Sequence, residues 1–156
     1  MFKKKDIHNA DLMKELQTEL DEINRSISSL RKKGINTKTV EYMTMNLPAK
    51  IKMAAITNSD SDVDGIRDVY RRVLAEIDFL EREYMEEQNR LAYLEQLLQK
   101  AHDLLEKRQL RESLPLYYEI RNFYKALSLE SRYKVFEKCV KFYSEFQELA
   151  KRLFSE

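Results

Sequence analysis

A heptad of apolar residues runs through the middle of the chain and is its strongest pattern. Successive apolar positions lie alternately four and three residues apart, so they share one narrow side of a helix. Such a stripe is typical of a coiled-coil seam or a bundle of long helices, and it predicts a long central helix over residues 62–109. Glu87 interrupts the stripe, which otherwise comprises Ile66, Tyr70, Val73, Ile77, Leu80, Tyr84, Leu91, Leu94, Leu98, Ala101 and Leu105.

The same spacing predicts two helices before the long one. The first should cover residues 9–33 and end at Gly34, because glycine readily adopts the left-handed conformation that closes a helix. The second should begin at Asn36 or Thr37 and contains Pro48. Proline lacks an amide hydrogen and crowds the preceding turn, so the helix must kink or restart there. We expect a kink, since the apolar phase continues beyond the proline.

Two further helices should follow the long one. Ser113 and Ser128 are suitable N-caps for them, because a serine hydroxyl can accept a hydrogen bond from an amide of the first turn. The last helix carries two neighbouring apolar stripes, a wider apolar face than one packing contact requires. We expect the longer stripe to face the core and the shorter one to be exposed. The longer stripe is Phe136, Cys139, Tyr143, Phe146, Ala150 and Leu153, and the shorter is Val135, Phe142 and Leu149.

These elements predict an all-α protein, a five-helix antiparallel bundle with coiled-coil-like packing and a long central helix. Composition agrees, because 156 residues include only 2 glycines and 2 prolines. We expect a flexible basic N-terminus over residues 1–8, a three-helix bundle over 9–86, and an aromatic-rich three-helix unit over 87–156 that shares the central helix. A break at the polar run 86–90 is the alternative to a continuous central helix.

Charge and hydropathy narrow the location and the class of partner. The net charge is only +1, which argues against a protein built mainly to hold polyanions. No stretch approaches the roughly 18 apolar residues that span a bilayer, and the first residues lack the apolar core of a signal peptide. We therefore expect a cytoplasmic protein without a transmembrane segment. The single cysteine, Cys139, lies on an apolar stripe and is expected to be a small buried hydrophobic residue.

An acidic segment before the long helix suggests one metal site. Asp60, Asp62, Asp64 and Gly65 match the first half of an EF-hand calcium loop, in which alternate side-chain oxygens face the cation. The twelfth position should hold a bidentate glutamate, but it is Arg71. We therefore expect an acidic helix start, stabilised by the positive end of the helix dipole. A weak divalent-cation site at the three aspartates is the alternative.

Residues 97–125 resemble a degenerate tetratricopeptide-type helical hairpin. Leu97 stands at the first large position of that motif, Ala101 at its small position and Leu104 at the aromatic position that follows. Tyr117 and Ile120 match positions of the second helix. The resemblance covers about one repeat and implies a hairpin surface that binds a peptide.

Arrangements of catalytic residues are missing from the sequence. A di-iron helical bundle requires a glutamate three residues before each histidine, but Lys5 precedes His8 and Gln99 precedes His102 at that spacing. Two histidines and one cysteine are too few for a structural zinc site, and no glycine-rich loop is present to hold phosphate. We therefore expect a protein that is not an enzyme and has no cofactor.

The last third of the chain holds the candidate binding surface. Ten of the sixteen aromatic residues lie there, and most should be core. A non-enzymatic adaptor or assembly factor, binding a protein partner or a second copy, is the expected function. The alternative is RNA or DNA binding by basic and aromatic residues of the last two helices, but interspersed glutamates make nucleic acid an unlikely partner. The expected partner-binding residues are Tyr118, Phe123, Val135, Phe142 and Leu149.

Overall fold

The computed structural model describes residues 2–155, and the side chains of residues 9–155. This part of the chain forms six α-helices and no strand, which confirms the all-α class. None of these helices is long and apolar enough to cross a membrane. The helices are α1 (Phe2–Lys32), α2 (Lys38–Thr44), α3 (Leu47–Thr57), α4 (Asp60–Glu106), α5 (Leu110–Ala126) and α6 (Leu129–Phe154).

Contacts divide the chain into two compact units, Met1–Glu83 and Tyr84–Glu156. The division falls within α4, which continues through residues 86–90 without a break. Each unit has its own apolar core, to which α4 contributes buried residues of Val63–Ile77 in the first unit and of Leu91–Leu105 in the second. The apolar heptad therefore identifies the buried side of α4 correctly. Leu80, Tyr84 and Glu87, between these segments, are only partly buried.

Helix α1 begins earlier than expected and ends where expected. Its backbone is helical from Phe2, well before the expected start. The flexibility expected of residues 1–8 stays a prediction, because Met1 and the side chains of residues 2–8 lie outside the described part. The predicted end is confirmed: Gly34 has a φ of +81°. The Ile35 amide donates to the carbonyl of Leu30 at 3.1 Å, which satisfies a carbonyl of the last turn.

The expected kink at Pro48 is wrong, because the chain restarts a helix there. Helix α2 ends at Thr44, and α3 begins at Leu47 with Asn46 as its N-cap and the proline in its first turn. A proline costs nothing at that position, since the first amides of a helix have no partner within it. The single helix expected over this segment is therefore two, and the described chain has six helices rather than five.

In the first unit α1 and α4 run in the same direction. The Tyr70 hydroxyl donates to the Leu16 carbonyl at 2.6 Å, and the Asn9 amide donates to the Asn58 side chain just before α4. Helices α2 and α3 follow α1 in sequence and run in the opposite direction, so the unit is an up-down-up three-helix bundle. Burial raises the pKa of Tyr70 to about 12, with a smaller effect of nearby Glu19 and Asp21.

The second unit repeats this up-down-up order with α4, α5 and α6. Because three residues, 107–109, connect α4 to α5, α5 must run antiparallel to α4. Helix α6 then runs parallel to α4, since its contacts with α4 advance along both helices. These contacts join Glu87 to Ser128 (2.7 Å), Glu95 to Lys138 (3.3 Å) and His102 to Glu145 (3.0 Å).

The two serines predicted as caps have different roles. Ser128 is the N-cap of α6, as expected, and its hydroxyl accepts the Ser131 amide at 3.3 Å. Ser113 is not a cap, because α5 begins at Leu110. Its side chain is fully buried, and its hydroxyl donates to the Leu110 carbonyl at 2.7 Å. A small residue there allows α5 to pack closely, and the hydrogen bond satisfies the buried hydroxyl.

Glu87, the one polar residue of the heptad, holds the start of α6. Its carboxylate accepts the Ser128 amide at 2.7 Å, at the positive end of the α6 dipole. Burial alone would raise the pKa of Glu87, but hydrogen bonds from Ser128 and Ser131, with the charge of Arg90, hold that pKa below its usual value of 4.5. The break in the apolar pattern thus marks a contact between α4 and α6.

Candidate functional site

The exposure expected of the shorter apolar stripe on α6 is wrong, because its central residues belong to the core. Val135 is 0% exposed and Phe142 is 4% exposed. Phe123 and Leu149 are partly buried and pack against the same core. Of the five expected residues only Tyr118 is well exposed. The two stripes on α6 lie side by side, and their spacing alone does not decide which of them α4 and α5 cover.

The exposed face of α6 is instead built on residues assigned to the core. Phe136 and Tyr143 were expected to point inward, yet they are 53% and 44% exposed. With their neighbours they form a continuous exposed stripe with steps of four and three residues, the spacing that makes a helix-pairing seam. We name this stripe the α6 seam; it comprises Leu129, Tyr133, Phe136, Val140 and Tyr143. The spacing of the α6 seam can be read from the sequence, but the other apolar and aromatic residues of α6 make it hard to distinguish from the neighbouring stripes.

An apolar groove lies beside the α6 seam, between α5 and α6. It has a volume of about 400 Å³. Its walls are held by packed rings, since Tyr117 stacks on Phe146 at 5.1 Å and on Tyr143 at 5.8 Å between ring centroids. Arg121 is its charged residue. The full lining is Tyr117, Ile120, Arg121, Tyr124, Phe136, Cys139, Val140, Phe142 and Tyr143.

Cys139 lies in the wall of this groove and is partly buried. Burial raises the pKa of its thiol above the usual value of 9.0. The thiolate is the nucleophilic form of cysteine, and this environment disfavours it. The residue therefore acts as a small hydrophobic part of the groove, close to the expectation from its place on an apolar stripe.

Arg132, in the first turns of α6, caps the C-terminal end of α5. Its Nε donates to the carbonyls of Tyr124 and Leu127 at 3.1 Å each, and one terminal nitrogen donates to Lys125 at 2.6 Å. The guanidinium also lies 5.7 Å from the centre of the Tyr124 ring. These are the carbonyls that a helix end leaves without an internal partner. This arginine is thus committed to holding α5 and α6 together.

Three lysines of α6 form ion pairs. Lys138 reaches Glu95 at 3.3 Å, while the other two pairs lie within the helix. Lys134 approaches Glu130 at 3.6 Å, and Lys141 approaches Glu145 at 4.0 Å. All these lysine side chains are at least half exposed, so each pair contributes little to stability. The pairs nevertheless reduce the net positive charge that this helix offers to a polyanion.

His102 connects α4 to α6 on another side of the second unit. Its ring nitrogens lie 3.0 Å from Glu145 and 3.2 Å from Glu106. Both partners are carboxylates, and among the described residues no three His, Cys, Asp or Glu side chains come close enough together to hold a metal ion. The contact with Glu145 links α4 to α6.

The acidic segment is the start of a helix, as expected, and α4 begins at Asp60 with Asp60 and Asp62 in its first turn. Residues two apart on a helix do not face each other, so Asp62 points away from Asp60 and Asp64. Its carboxylate accepts the Thr57 hydroxyl at 2.6 Å. Asp60 and Asp64 line a shallow acidic groove against α1. The three aspartates therefore do not surround one cation, and the first turn places acidic groups near the positive end of the helix.

Comparison with protein-family models, with curated proteins and with solved structures finds no match for this chain. The resemblance of residues 97–125 to a tetratricopeptide hairpin accordingly stays a prediction. The physical basis for assigning a function is the exposed α6 seam and the groove beside it.

Proposed function

We propose that this protein is a non-enzymatic adaptor or assembly factor that binds another protein chain through the α6 seam and the adjoining groove. One observation carries the proposal. Five large apolar residues, 44–74% exposed, follow the spacing of a helix-pairing seam on one face of α6. A continuous apolar face of this kind on a folded unit marks a binding surface more often than scattered exposed residues do.

The chemistry of the second unit supports a binding role over a catalytic one. The groove beside the seam is apolar and aromatic, with Arg121 at its edge. Such a surface suits the apolar side of an amphipathic helix, which inserts large side chains into a hydrophobic groove. Burial raises the pKa of the Cys139 thiol, which disfavours its nucleophilic thiolate form. The cytoplasmic location remains a prediction from the sequence.

Nucleic-acid binding is the weaker alternative. Arg132 spends its donors on α5 carbonyls, and Lys134, Lys138 and Lys141 each have a carboxylate nearby. Affinity for a polyanion depends on cations that are free to neutralise phosphates. Four of the basic residues therefore already have carbonyl or carboxylate partners, which reduces the number of cations that are free for phosphates.

Substitution of the seam tests this proposal. Val140→Glu places a charge at the centre of the seam, where the side chain is 47% exposed. Ile56→Glu is the matched control, because Ile56 is 78% exposed and lies on α3 in the other unit. Each immobilised variant is incubated with nuclease-treated cell extract, and retained proteins are identified by mass spectrometry. We expect proteins that wild type and Ile56→Glu retain and Val140→Glu loses.

Circular dichroism should give the same helicity for all three proteins, since both substitutions are at exposed positions. Equal retention by the three proteins would contradict the proposed role of the seam. Salt-dependent binding of labelled RNA or DNA that Val140→Glu leaves unchanged would favour the nucleic-acid alternative.

A further inference from the structure

We propose that the occupant of the α6 seam is the α6 seam of a second copy of this chain, paired antiparallel about a two-fold axis between Val140 and Tyr143. This inference rests on the proposed function and deepens it, because it identifies the first partner of the surface. It depends on the charges along the two edges of the seam, which are unlike each other.

One edge of the seam is already covered within the second unit. Arg132 donates to α5 carbonyls, and Phe146 stacks on Tyr117 of α5. Cys139, between them, lines the groove that α5 and α6 form. The other edge is exposed to solvent along its length and comprises Glu130, Glu137, Ser144 and Lys151. The charges of this open edge are therefore the ones that can pair with a partner helix.

The open edge decides the direction of pairing. In a parallel pair, each open edge would face the covered edge of the other copy, where α5 lies and Arg132 is committed. In an antiparallel pair, the two open edges face each other on one side of the seam, and the two covered edges, each beside its own α5, face each other on the opposite side. Charged residues beside a seam are known to set the orientation of paired helices. The unlike edges therefore favour the antiparallel arrangement, in which like edges meet.

The antiparallel arrangement also matches opposite charges. With the axis between Val140 and Tyr143, Glu130 lies opposite Lys151 of the second copy, and two-fold symmetry forms that pair twice. Glu137 lies opposite the uncharged Ser144. The existing Glu130 to Lys134 pair is 3.6 Å long, with side chains 73% and 50% exposed, so it holds Glu130 only weakly. The glutamate is free to exchange it for a contact between copies.

Two apolar layers of this arrangement are complementary in size. The seam spacing continues beyond Tyr143 through Gln147, Ala150 and Phe154. In the same register, Tyr133 lies opposite Ala150 of the second copy, and Val140 lies opposite Tyr143. In these two layers a ring faces a smaller side chain, while Phe136 lies opposite Gln147 and Leu129 lies opposite Phe154.

Charge exchange between the two ends of the open edge tests the pairing. Sedimentation equilibrium would measure the dimer dissociation constant of the full chain. Glu130→Lys and Lys151→Glu each place like charges opposite each other twice, and we expect each to weaken the dimer about tenfold. The double variant restores both pairs with reversed sign, so its dissociation constant should return to the wild-type value. Val140→Glu should give a monomer, while Ile56→Glu should dimerise like wild type.

The outcomes separate this inference from the proposed function. A wild-type chain that stays monomeric at near-millimolar concentration overturns the inference, as does a double variant no tighter than the single ones. If the chain is monomeric but Val140→Glu still loses specific proteins from extract, the proposed function stands and the occupant is a different chain. Helicity measured on every variant ensures that a lost dimer is not a lost fold.

Discussion

At the scale of single residues, Glu87 has the clearest structural role. A charged residue in an apolar stripe costs desolvation unless it finds partners. Glu87 finds them at the N-terminus of α6, where its carboxylate accepts the Ser128 amide at 2.7 Å. The same hydrogen bonds hold the pKa of its carboxyl below 4.5. A lowered pKa in the folded protein means that the ionised form stabilises the fold.

We predict that Glu87→Gln lowers the free energy of unfolding near neutral pH by about 1 kcal/mol, the difference between a hydrogen bond to a charged acceptor and one to a neutral acceptor. The stabilisation from Glu87 is complete above its unfolded pKa and is lost as pH falls below about 4.5 toward the folded pKa. The difference between the two proteins should therefore shrink in acid. Urea unfolding at a series of pH values measures it.

Glu86→Gln is the matched control for that experiment. Glu86 is a neighbour of Glu87 and also pairs with Arg90, but its side chain is 66% exposed. Its substitution should change stability little at any pH. An equal effect of the two substitutions would show that general charge, and not the start of α6, explains the result.

Single residues also show which helix ends can be predicted from the sequence and which cannot. The end of α1 was predictable because Gly34 carries the left-handed conformation. The end of α4 has the same geometry with a φ of 57° at Arg108, and the Gln109 amide donates to the Leu104 carbonyl at 2.9 Å. Arginine gives no signal for that conformation, so the predicted helix extended to Gln109. The surrounding packing imposes the turn.

At the scale of elements, α6 shows why the exposed apolar face differs from the one expected from the sequence. Its apolar residues cover more than half of the helix circumference, so two choices of inward side fit the periodicity equally well. Burial of Val135 and exposure of Phe136 reverse the assignment made from the longer stripe. The choice depends on where α5 lies, and α5 is fixed partly by polar contacts of Arg132 that periodicity does not contain. The presence and direction of the helix were predictable; its inward side was not.

We predict that Arg132→Ala destabilises the end of α5 by about 1–3 kcal/mol, because it removes the side-chain donors of the Lys125 and Leu127 carbonyls and leaves the Tyr124 carbonyl with the Leu127 amide alone. Hydrogen exchange of the last turn of α5 should accelerate. Arg132→Lys should recover little, since an ammonium group cannot reproduce the planar array of donors.

Lys134→Ala is the control on the same helix. Its pair with Glu130 is exposed, so its removal should cost only a few tenths of a kcal/mol, as expected for pairs four residues apart on a helix. Equal acceleration of exchange in the two alanine variants would mean that Arg132 does not hold the end of α5.

At the scale of the whole molecule, the two separate cores predict local responses to core substitutions. Leu16 is 1% exposed in the first core and Leu94 is 0% exposed in the second. Leucine to alanine at either site should cost about 2–5 kcal/mol. We expect Leu94→Ala to accelerate hydrogen exchange in α5 and α6, and Leu16→Ala to accelerate it in α1 and α3.

Each of these variants is the control for the other. Acceleration spread evenly over all helices by either substitution would show that the two units unfold as one cooperative body. The all-α class and the long helix were predictable at this scale, because periodicity and few glycines determine both. The number of helices was not predictable, since a restart and a kink at Pro48 leave the apolar residues in the same phase.

The position of Cys139 in the wall of the groove gives the chain a built-in chemical reporter. It is the only cysteine among the 156 residues, so any thiol reagent that modifies the protein once does so there. A helix of another protein that occupies the groove shields the sulfur from the reagent. The rate of alkylation therefore measures occupancy directly, without a label, an engineered residue or knowledge of the partner.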